Sequence, residues 1–243
     1  MSFPKIEKPT YELTVPSTKQ EISYIPYSVA EEKILLMALQ GGDLKEIERA
    51  VKQIIKNCVI TPNFKVDELK LYDVEYIFLK LRIASQGETV DLVFEPLKNT
   101  NCEECKKERK VSIDLTKAEV VYNEEHEEKI EFNKKTGVVM KSPDISMLAL
   151  FEQAKTSDDV NDVFKVIWRC VDYIYDEENT YQASSSNLKD GIEWLEDLDI
   201  RHFRKLEKFF KTLPRISQTV EIKCSSCDFS TNYTMSGLES FFV

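Results

Sequence analysis

Two pairs of cysteines have the residue type and the spacing that metal chemistry requires. Two residues separate Cys102 from Cys105, and two separate Cys224 from Cys227. A C-x-x-C turn places two thiolates on one side of a tight bend, and two such turns complete the four-sulfur tetrahedron that Zn²⁺ accepts. The sequence therefore predicts one structural zinc ion bound by these four cysteines.

The long interval between the pairs leaves alternatives open. Compact zinc ribbons separate their cysteine pairs by about 15–20 residues, whereas residues 106–223 lie between the pairs here. Two unrelated metal-free turns, or an iron–sulfur or redox role, remain as other interpretations. A thioredoxin-type motif is disfavoured because neither pair lies at a predicted strand-to-helix junction.

The other two cysteines and the histidines offer less chemistry. Cys58 and Cys170 each lie on the apolar face of a predicted helix, which is typical of core packing. A nucleophilic cysteine needs a basic partner, and the chain has only His126, in an acidic loop, and His202, among charges. We therefore predict no catalytic residue.

Composition excludes several classes of protein. The 243 residues include 33 Lys and Arg against 43 Asp and Glu, a net charge of −10, with only six glycines. No glycine-rich phosphate loop can be drawn from them. The negative charge disfavours general nucleic-acid binding, and no apolar run is long enough to cross a membrane. The chain start lacks an apolar signal core, so we expect a soluble cytosolic protein with reduced thiols.

Apolar periodicity predicts an α+β fold that is predominantly helical, with a small antiparallel β module resembling a zinc ribbon. Strands are predicted at 89–94, 110–115, 118–122, 129–132 and 138–140, and at 219–223 and 230–235 around the second cysteine pair. The predicted domains are an extended N-terminal arm or hairpin (1–27), a helical module (28–87), the β module (88–142 with 218–243) and a C-terminal helical module (143–217).

Capping residues and apolar stripes predict where the helices begin and end and which side chains they bury. Ser28 and Glu31 form a capping box, and a third helix is predicted from about 66 to 85. A helix starting near Ser157 is predicted to bury Val163, Ile167, Cys170, Val171 and Ile174. Residues 180–187 are predicted to be a loop, followed by helical pattern up to Pro214. The last residues are predicted to form an apolar turn.

A basic stripe lies on the last predicted helix. It comprises Arg201, Arg204, Lys205, Lys208, Lys211 and Arg215. A solvated face of a packed helix is the favoured interpretation, and a zinc-ribbon adaptor that binds nucleic acid or the transcription machinery is the alternative. The acidic pairs 158–159 and 177–178 are not predicted to be catalytic, because adjacent helix residues do not face each other.

Several ordered segments together resemble a known family. They are PSTKQ (16–20), YIPYSVAEEKILLMA (24–38), DVEYIFLKLRIASQG (73–87), VSIDLTKAEV (111–120) and GVVMKSP (137–143). With the C-x-x-C insertion, they resemble the baseplate hub family of T-even-type contractile-tailed bacteriophages over most of the chain. Because members differ in their cysteines, the metal prediction rests on this chain's residues alone.

The resemblance implies a structural or assembly protein without catalytic residues. It would act in the host cytoplasm during assembly and in the virion tail baseplate. Its partners would be other baseplate and tail proteins, with copies of itself as a further candidate. We expect no small-molecule substrate, no membrane and no nucleic acid. A proline-spaced arm that adds a strand to a partner suits such an assembly.

Overall fold

The computed structural model describes residues 6–96 and 102–237. Helix exceeds strand in these residues, and all sheets are small and antiparallel. The helices are α1 (Val29–Gly41), α2 (Leu44–Cys58), α3 (Leu71–Gln86), α4 (Leu148–Thr156), α5 (Val160–Arg169), α6 (Leu188–Glu196) and α7 (Ile200–Lys211). The strands are β1 (Tyr11–Thr14), β2 (Glu21–Tyr24), β3 (Thr89–Phe94), β4 (Arg109–Asp114), β5 (Glu119–Val121), β6 (Lys129–Glu131), β7 (Gly137–Met140), β8 (Val171–Tyr175), β9 (Thr180–Gln182), β10 (Arg215–Lys223) and β11 (Ser230–Ser236). The mixed helix and sheet content and the small antiparallel sheets agree with the α+β part of the predicted fold class.

Four sheets connect these strands. Two are hairpins, β1–β2 and β3–β4, the third has the order β11–β10–β5, and the fourth has the order β6–β7–β8–β9. All the strands that the sequence predicts are present, with boundaries shifted by a few residues. The predicted apolar turn after residue 237 lies outside the described residues.

The first hydrophobic cluster joins the N-terminal hairpin to α2 and α3. Val15 and Ile22 from the hairpin are buried against Ile54 of α2 and Ile77 of α3. The hairpin within the predicted arm is therefore packed onto the helices, not extended into solvent. The core side chains here are almost all large and aliphatic or aromatic, so burial is the main stabilising contribution.

A buried carboxylate ties the hairpin turn to the start of α3. The Oδ1 atom of Asp73 accepts a hydrogen bond from the Ser17 backbone N–H at 2.9 Å. Its Oδ2 atom accepts from the Ser17 hydroxyl at 2.6 Å and from the Lys70 N–H at 3.1 Å. Asp73 is fully buried. Because these donors occupy both of its oxygens, the carboxylate is accommodated in the core.

Helix α1 begins and ends as predicted. Ser28 accepts from the Ala30 N–H, and Glu31 accepts from the Ser28 N–H, which confirms the capping box. The helix ends at Gly42, whose φ of 67° lies in the left-handed region that glycine adopts without strain. None of its side chains is buried.

The second cluster lies between the β3–β4 hairpin and the β5–β10–β11 sheet. Its buried residues include Leu92, Ile113, Leu115, Ile222 and Met235. Partly buried sulfur atoms of Cys102, Cys224 and Cys227 pack against it. This cluster is smaller than the first, and the side chains of the cysteines form one side of it.

The third cluster contains the β6–β9 sheet and helices α5 to α7. Strands β6 and β7 pair with β8, so residues 129–140 pack with the C-terminal helices and not with β3–β4. The predicted extension of helix α5 through Ile174 is wrong, and Val163, which was predicted to be buried, is 41% exposed. The helix ends at Arg169 because the Cys170 carbonyl accepts the Lys141 N–H at 2.7 Å, and β8 begins at the next residue.

Two further expectations for this region are corrected. Residues 180–187 are not a loop, because β9 pairs with β8 and a 3-10 turn follows at Ala183–Ser185. The helical region up to Pro214 is two helices, since the Asp199 carboxylate accepts from the Arg201 N–H and starts α7. The third predicted helix, further towards the N-terminus, is likewise divided into a 3-10 turn at Val66–Glu68 and helix α3.

Among the described residues, none of the helices is long and apolar enough to cross a membrane.

Candidate metal centre

Two hairpins present the four cysteines. The first knuckle, residues 102–105, lies between β3 and β4, and the second knuckle, residues 224–227, lies between β10 and β11. The Cys105 N–H donates to the Cys102 carbonyl at 3.1 Å and closes the first turn. The Cys224 N–H donates to the Phe229 carbonyl at 2.9 Å, which pins the base of the second.

The two knuckles meet with a geometry that fits one metal ion. The sulfur of Cys102 lies 3.9 Å from that of Cys224, and the sulfur of Cys105 lies 3.5 Å from that of Cys227. All four sulfurs lie within 4.8 Å of one another. A tetrahedral zinc site with bonds of about 2.3 Å has sulfur–sulfur edges of about 3.8 Å. The four cysteines are therefore close enough to bind a metal ion.

All four residues are free thiols in the structure. The Ser226 N–H donates to the Cys224 sulfur at 3.4 Å, and this backbone donor helps to lower the pKa of Cys224 to about 6. Burial raises the pKa of Cys105, whose thiolate would be costly without a compensating cation. A cysteine whose pKa burial raises and one whose pKa backbone donors lower thus lie within 4.8 Å of each other, and a divalent cation would stabilise the thiolate form of both.

Arg109 joins the two knuckles. Its Nη1 atom donates to the Lys223 carbonyl at 2.8 Å and its Nη2 atom to the Glu104 carbonyl at 2.9 Å. Its guanidinium thus bridges the first turn and the end of the strand that leads into the second, which links the two hairpins. The role of Arg109 could not be predicted from the sequence, because the spacing of the cysteines does not reveal which backbone carbonyls an arginine side chain contacts.

The lysines that flank the knuckles have acidic partners of their own. Lys106 pairs with Glu103, Lys107 with Glu104, Lys110 with Asp91 and Lys223 with Glu221. These exposed pairs reduce the charge that the lysines supply to the sulfurs. Arg109 is therefore the cation with direct contacts to both knuckles.

The two remaining cysteines are core residues, as predicted. Cys58 lies in the first cluster and Cys170 in the third, both almost fully buried. Burial raises the pKa of the Cys58 thiol to about 11 and that of Cys170 to about 12. Both are neutral at physiological pH and act as small apolar groups.

The basic stripe on α7 lies on the solvent side of a packed helix. Leu206 and Phe209 are buried on the opposite face, in the third cluster. Lys208 pairs with Glu125 at 2.9 Å, Arg201 pairs with Asp199 at 3.0 Å, and Lys205 donates to the Glu131 carbonyl. Intramolecular acceptors thus engage three of these cations.

Both histidines pack on aromatic rings. His126 stacks on Phe209 at 4.9 Å between ring centroids, and His202 stacks on Phe132 at 4.8 Å. The Nδ1 atom of His126 bonds the Thr212 hydroxyl at 2.9 Å. The acidic loop at 123–128 is therefore anchored to α7 by its histidine, a contact that its sequence did not indicate.

The family of the chain follows from a match over nearly its whole length. The family model described as T4 bacteriophage base plate protein matches residues 8–243. The chain therefore belongs to this family of phage baseplate structural proteins, whose members are parts of the virion tail and contact other tail proteins. This confirms the T4-type baseplate family predicted from the sequence, and a baseplate structural family is consistent with a non-enzymatic role. No curated protein and no solved structure matches the chain.

Proposed function

We propose that the protein is a structural or assembly component of the hub region of a contractile-tail baseplate, stabilised by one structural zinc ion. Cys102, Cys105, Cys224 and Cys227 bind the zinc. The observation that carries the metal proposal is the convergence of four sulfurs within 4.8 Å from two segments that are 122 residues apart. Zinc accepts four thiolates in closed structural sites, and such sites couple metal binding to folding.

The zinc joins the two hairpins of the second cluster. Without it, the knuckles are connected by Arg109 and by a short apolar face. With the zinc bound, the hairpins within residues 88–142 and 218–243 form one metal-stapled β module. The other parts of the chain are the N-terminal arm (1–27), the helical module (28–87) and the C-terminal helical module (143–217). The protein assembles in the host cytoplasm and acts through contacts with other baseplate proteins or copies of itself, without a small-molecule substrate.

Elemental analysis of metal-replete protein tests the zinc site. We expect about one zinc per chain in the wild type and almost none in Cys105→Ser or Cys224→Ser. Both variants should also unfold at a lower temperature. Cys58→Ala is the matched control, because it removes a buried cysteine outside the site and should keep its zinc. Wild-type protein without zinc, or variants that melt like the wild type, would contradict the proposal.

Cross-linking mass spectrometry of purified tails and of assembly intermediates tests the hub location. We expect cross-links between surface lysines of this chain and proteins at the tail axis. Cross-links confined to the baseplate periphery would reject the hub location and leave the zinc site untouched. The metal and location parts of the proposal therefore fail independently.

A further inference from the structure

An aromatic groove lies between α6 and the β7–β8–β9 part of the fourth sheet, away from the cysteines. Its volume is about 410 Å³. The indoles of Trp168 and Trp194 line it, with their centroids 6.1 Å apart, together with the phenol rings of Tyr175 and Tyr181. Half of Tyr181 is exposed to solvent, so the groove is open to a partner.

Two glycines make room for the rings of the groove. A Cβ atom at Gly191 would overlap the Trp168 indole, and a Cβ atom at Gly137 would overlap the Tyr175 hydroxyl and the Ile130 carbonyl. Because backbone occupies these positions without a side chain, Trp168 lies directly against α6 and Tyr175 directly against β7. The backbone on both sides therefore defines the shape of the groove.

Two carboxylates line the same groove. Asp176 accepts the Glu178 and Asn179 N–H groups at 2.9 and 2.8 Å and the Tyr181 hydroxyl at 2.9 Å. These bonds, led by the one from the Glu178 backbone, lower the pKa of Asp176 and keep it ionised. Asp190 accepts from the Asn187 side-chain amide at 2.8 Å.

Neither carboxylate has a cationic partner. Among the described residues, Asp176 and Asp190 form no ion pair with Lys or Arg, and no basic residue lines the groove. The neighbouring lysines have acidic partners, since Lys135 pairs with Glu177, Lys189 pairs with Glu193 and Lys129 pairs with Glu131. The Lys129 ammonium also lies 5.3 Å from the centre of the Tyr175 ring, so the other aromatic rings of the groove are the ones left for a partner's cation. The groove thus combines the partly exposed rings of Trp194 and Tyr181 with two carboxylates that have no ion-pair partner in the part of the chain that the structure describes, while Trp168 is only 6% exposed.

We propose that this groove binds the cationic side chain, arginine or lysine, of a basic segment in a partner protein. Aromatic faces attract a guanidinium or ammonium group electrostatically, most strongly in the case of tryptophan. Asp176 and Asp190 supply the complementary charge, and the apolar walls accept the methylene stem. The proposal does not depend on the metal centre.

Tryptophan fluorescence reports on this site directly, because Trp168 and Trp194 are the only tryptophans of the chain. The full-length protein is titrated with the peptide acetyl-Gly-Arg-Gly-Arg-Gly-amide at low salt. We expect a saturable change in emission that weakens when the salt concentration is raised to 0.5 M, roughly threefold or more, because the carboxylates are screened. The matched peptides carry Gln or Glu in place of Arg and should produce no saturable change.

Two variants with the same change of net charge separate the groove from the general acidity of the protein. Asp190→Asn removes a groove carboxylate and should weaken binding of the arginine peptide about threefold or more. Asp158→Asn removes an exposed carboxylate before α5 and should bind as the wild type does. No saturable response to the arginine peptide, an equal response to the glutamine peptide, or unchanged binding by Asp190→Asn each overturns the proposal.

Discussion

The first and second hydrophobic clusters differ in the interactions that hold distant segments of the chain together. Both connect segments that are distant in the sequence, residues 11–24 to α3 in the first and β3–β4 to β10–β11 in the second. The first does so with fully buried side chains such as Val15, Ile55 and Ile77. The second has a smaller apolar face, and its outer end is closed by four sulfurs and Arg109.

The difference shows what each region depends on. In the first cluster, the fully buried Asp73 is compensated by neutral donors from the hairpin turn and the helix start. In the second, the buried Cys105 lies among apolar side chains and the other three sulfurs, which supply no charge to compensate a thiolate. We therefore expect the first region to fold through the packing of its own side chains, and the second to need a bound metal ion for full stability.

Truncation of the first core should give the largest effect. Phe78→Ala removes a side chain of α3 that is 1% exposed and should cost about 3–5 kcal/mol of unfolding free energy, through lost burial and a cavity. Urea unfolding measures this cost. Zinc content should stay at the wild-type value, whereas loss of zinc in this variant would show that the two regions are not separate. Met37→Ala, at an exposed position of α1, is the control and should change stability by less than about 0.5 kcal/mol.

Chelation should affect only the second cluster. Removal of the metal is expected to raise amide hydrogen exchange in β3, β4, β10 and β11 at least several-fold, because the hairpins lose their shared ligand. Exchange in α2 and α3 should remain as in the metal-replete protein. Mass spectrometry of peptides from the exchanged protein measures both regions in one experiment. An equal increase in amide hydrogen exchange over all segments would contradict the expected difference between the two clusters.

Loss of the Asp73 carboxylate should have an intermediate effect. Asp73→Ala leaves the Ser17 N–H and hydroxyl and the Lys70 N–H without their acceptor, which should cost about 2–3 kcal/mol. Thermal or urea unfolding measures the loss. The control is Asp67→Ala, whose side chain is 85% exposed and pairs only with Lys52 among the described residues. An equal cost at both positions would refute the role of Asp73 in the hairpin contact.

The smallest effect concerns pH. Burial lowers the pKa of His126 below its usual value near 6.5, so the folded state binds its proton less readily than the unfolded chain. The stability from this residue is complete above pH 6.5 and decreases as the pH falls through the folded pKa. His126→Gln, compared with the wild type by urea unfolding at pH 7.5 and 5.5, should lose less stability on acidification.

Local patterns predicted the elements around the metal centre well. Strand β3 alternates exposed and buried residues without interruption, so its bounds match the prediction at both ends. The convergence of the two knuckles followed from zinc chemistry, because two half-sites need each other whatever lies between them. The distances between the sulfurs and the bridging contacts of Arg109 depend on three-dimensional packing, which no spacing rule contains.

The third cluster was harder to predict because distant partners determine its structure. The apolar residues at 167, 170, 171 and 174 fit a helical stripe, yet β8 forms there because β7 and β9 flank it in the sheet. Short apolar segments are compatible with both structures, and tertiary contacts decide between them. The aromatic groove depends on this same sheet, so its residues could not be grouped from the sequence.

The separation of 122 positions between Cys102 and Cys224 also has a consequence for synthesis on the ribosome. At about 5–20 residues per second, the first knuckle is made roughly 6–25 seconds before the second. During that time it can offer a metal only two of its four ligands. A nascent chain that stops before Cys227 lacks at least one of the four cysteines, so the proposed site can close only after the second knuckle has been made.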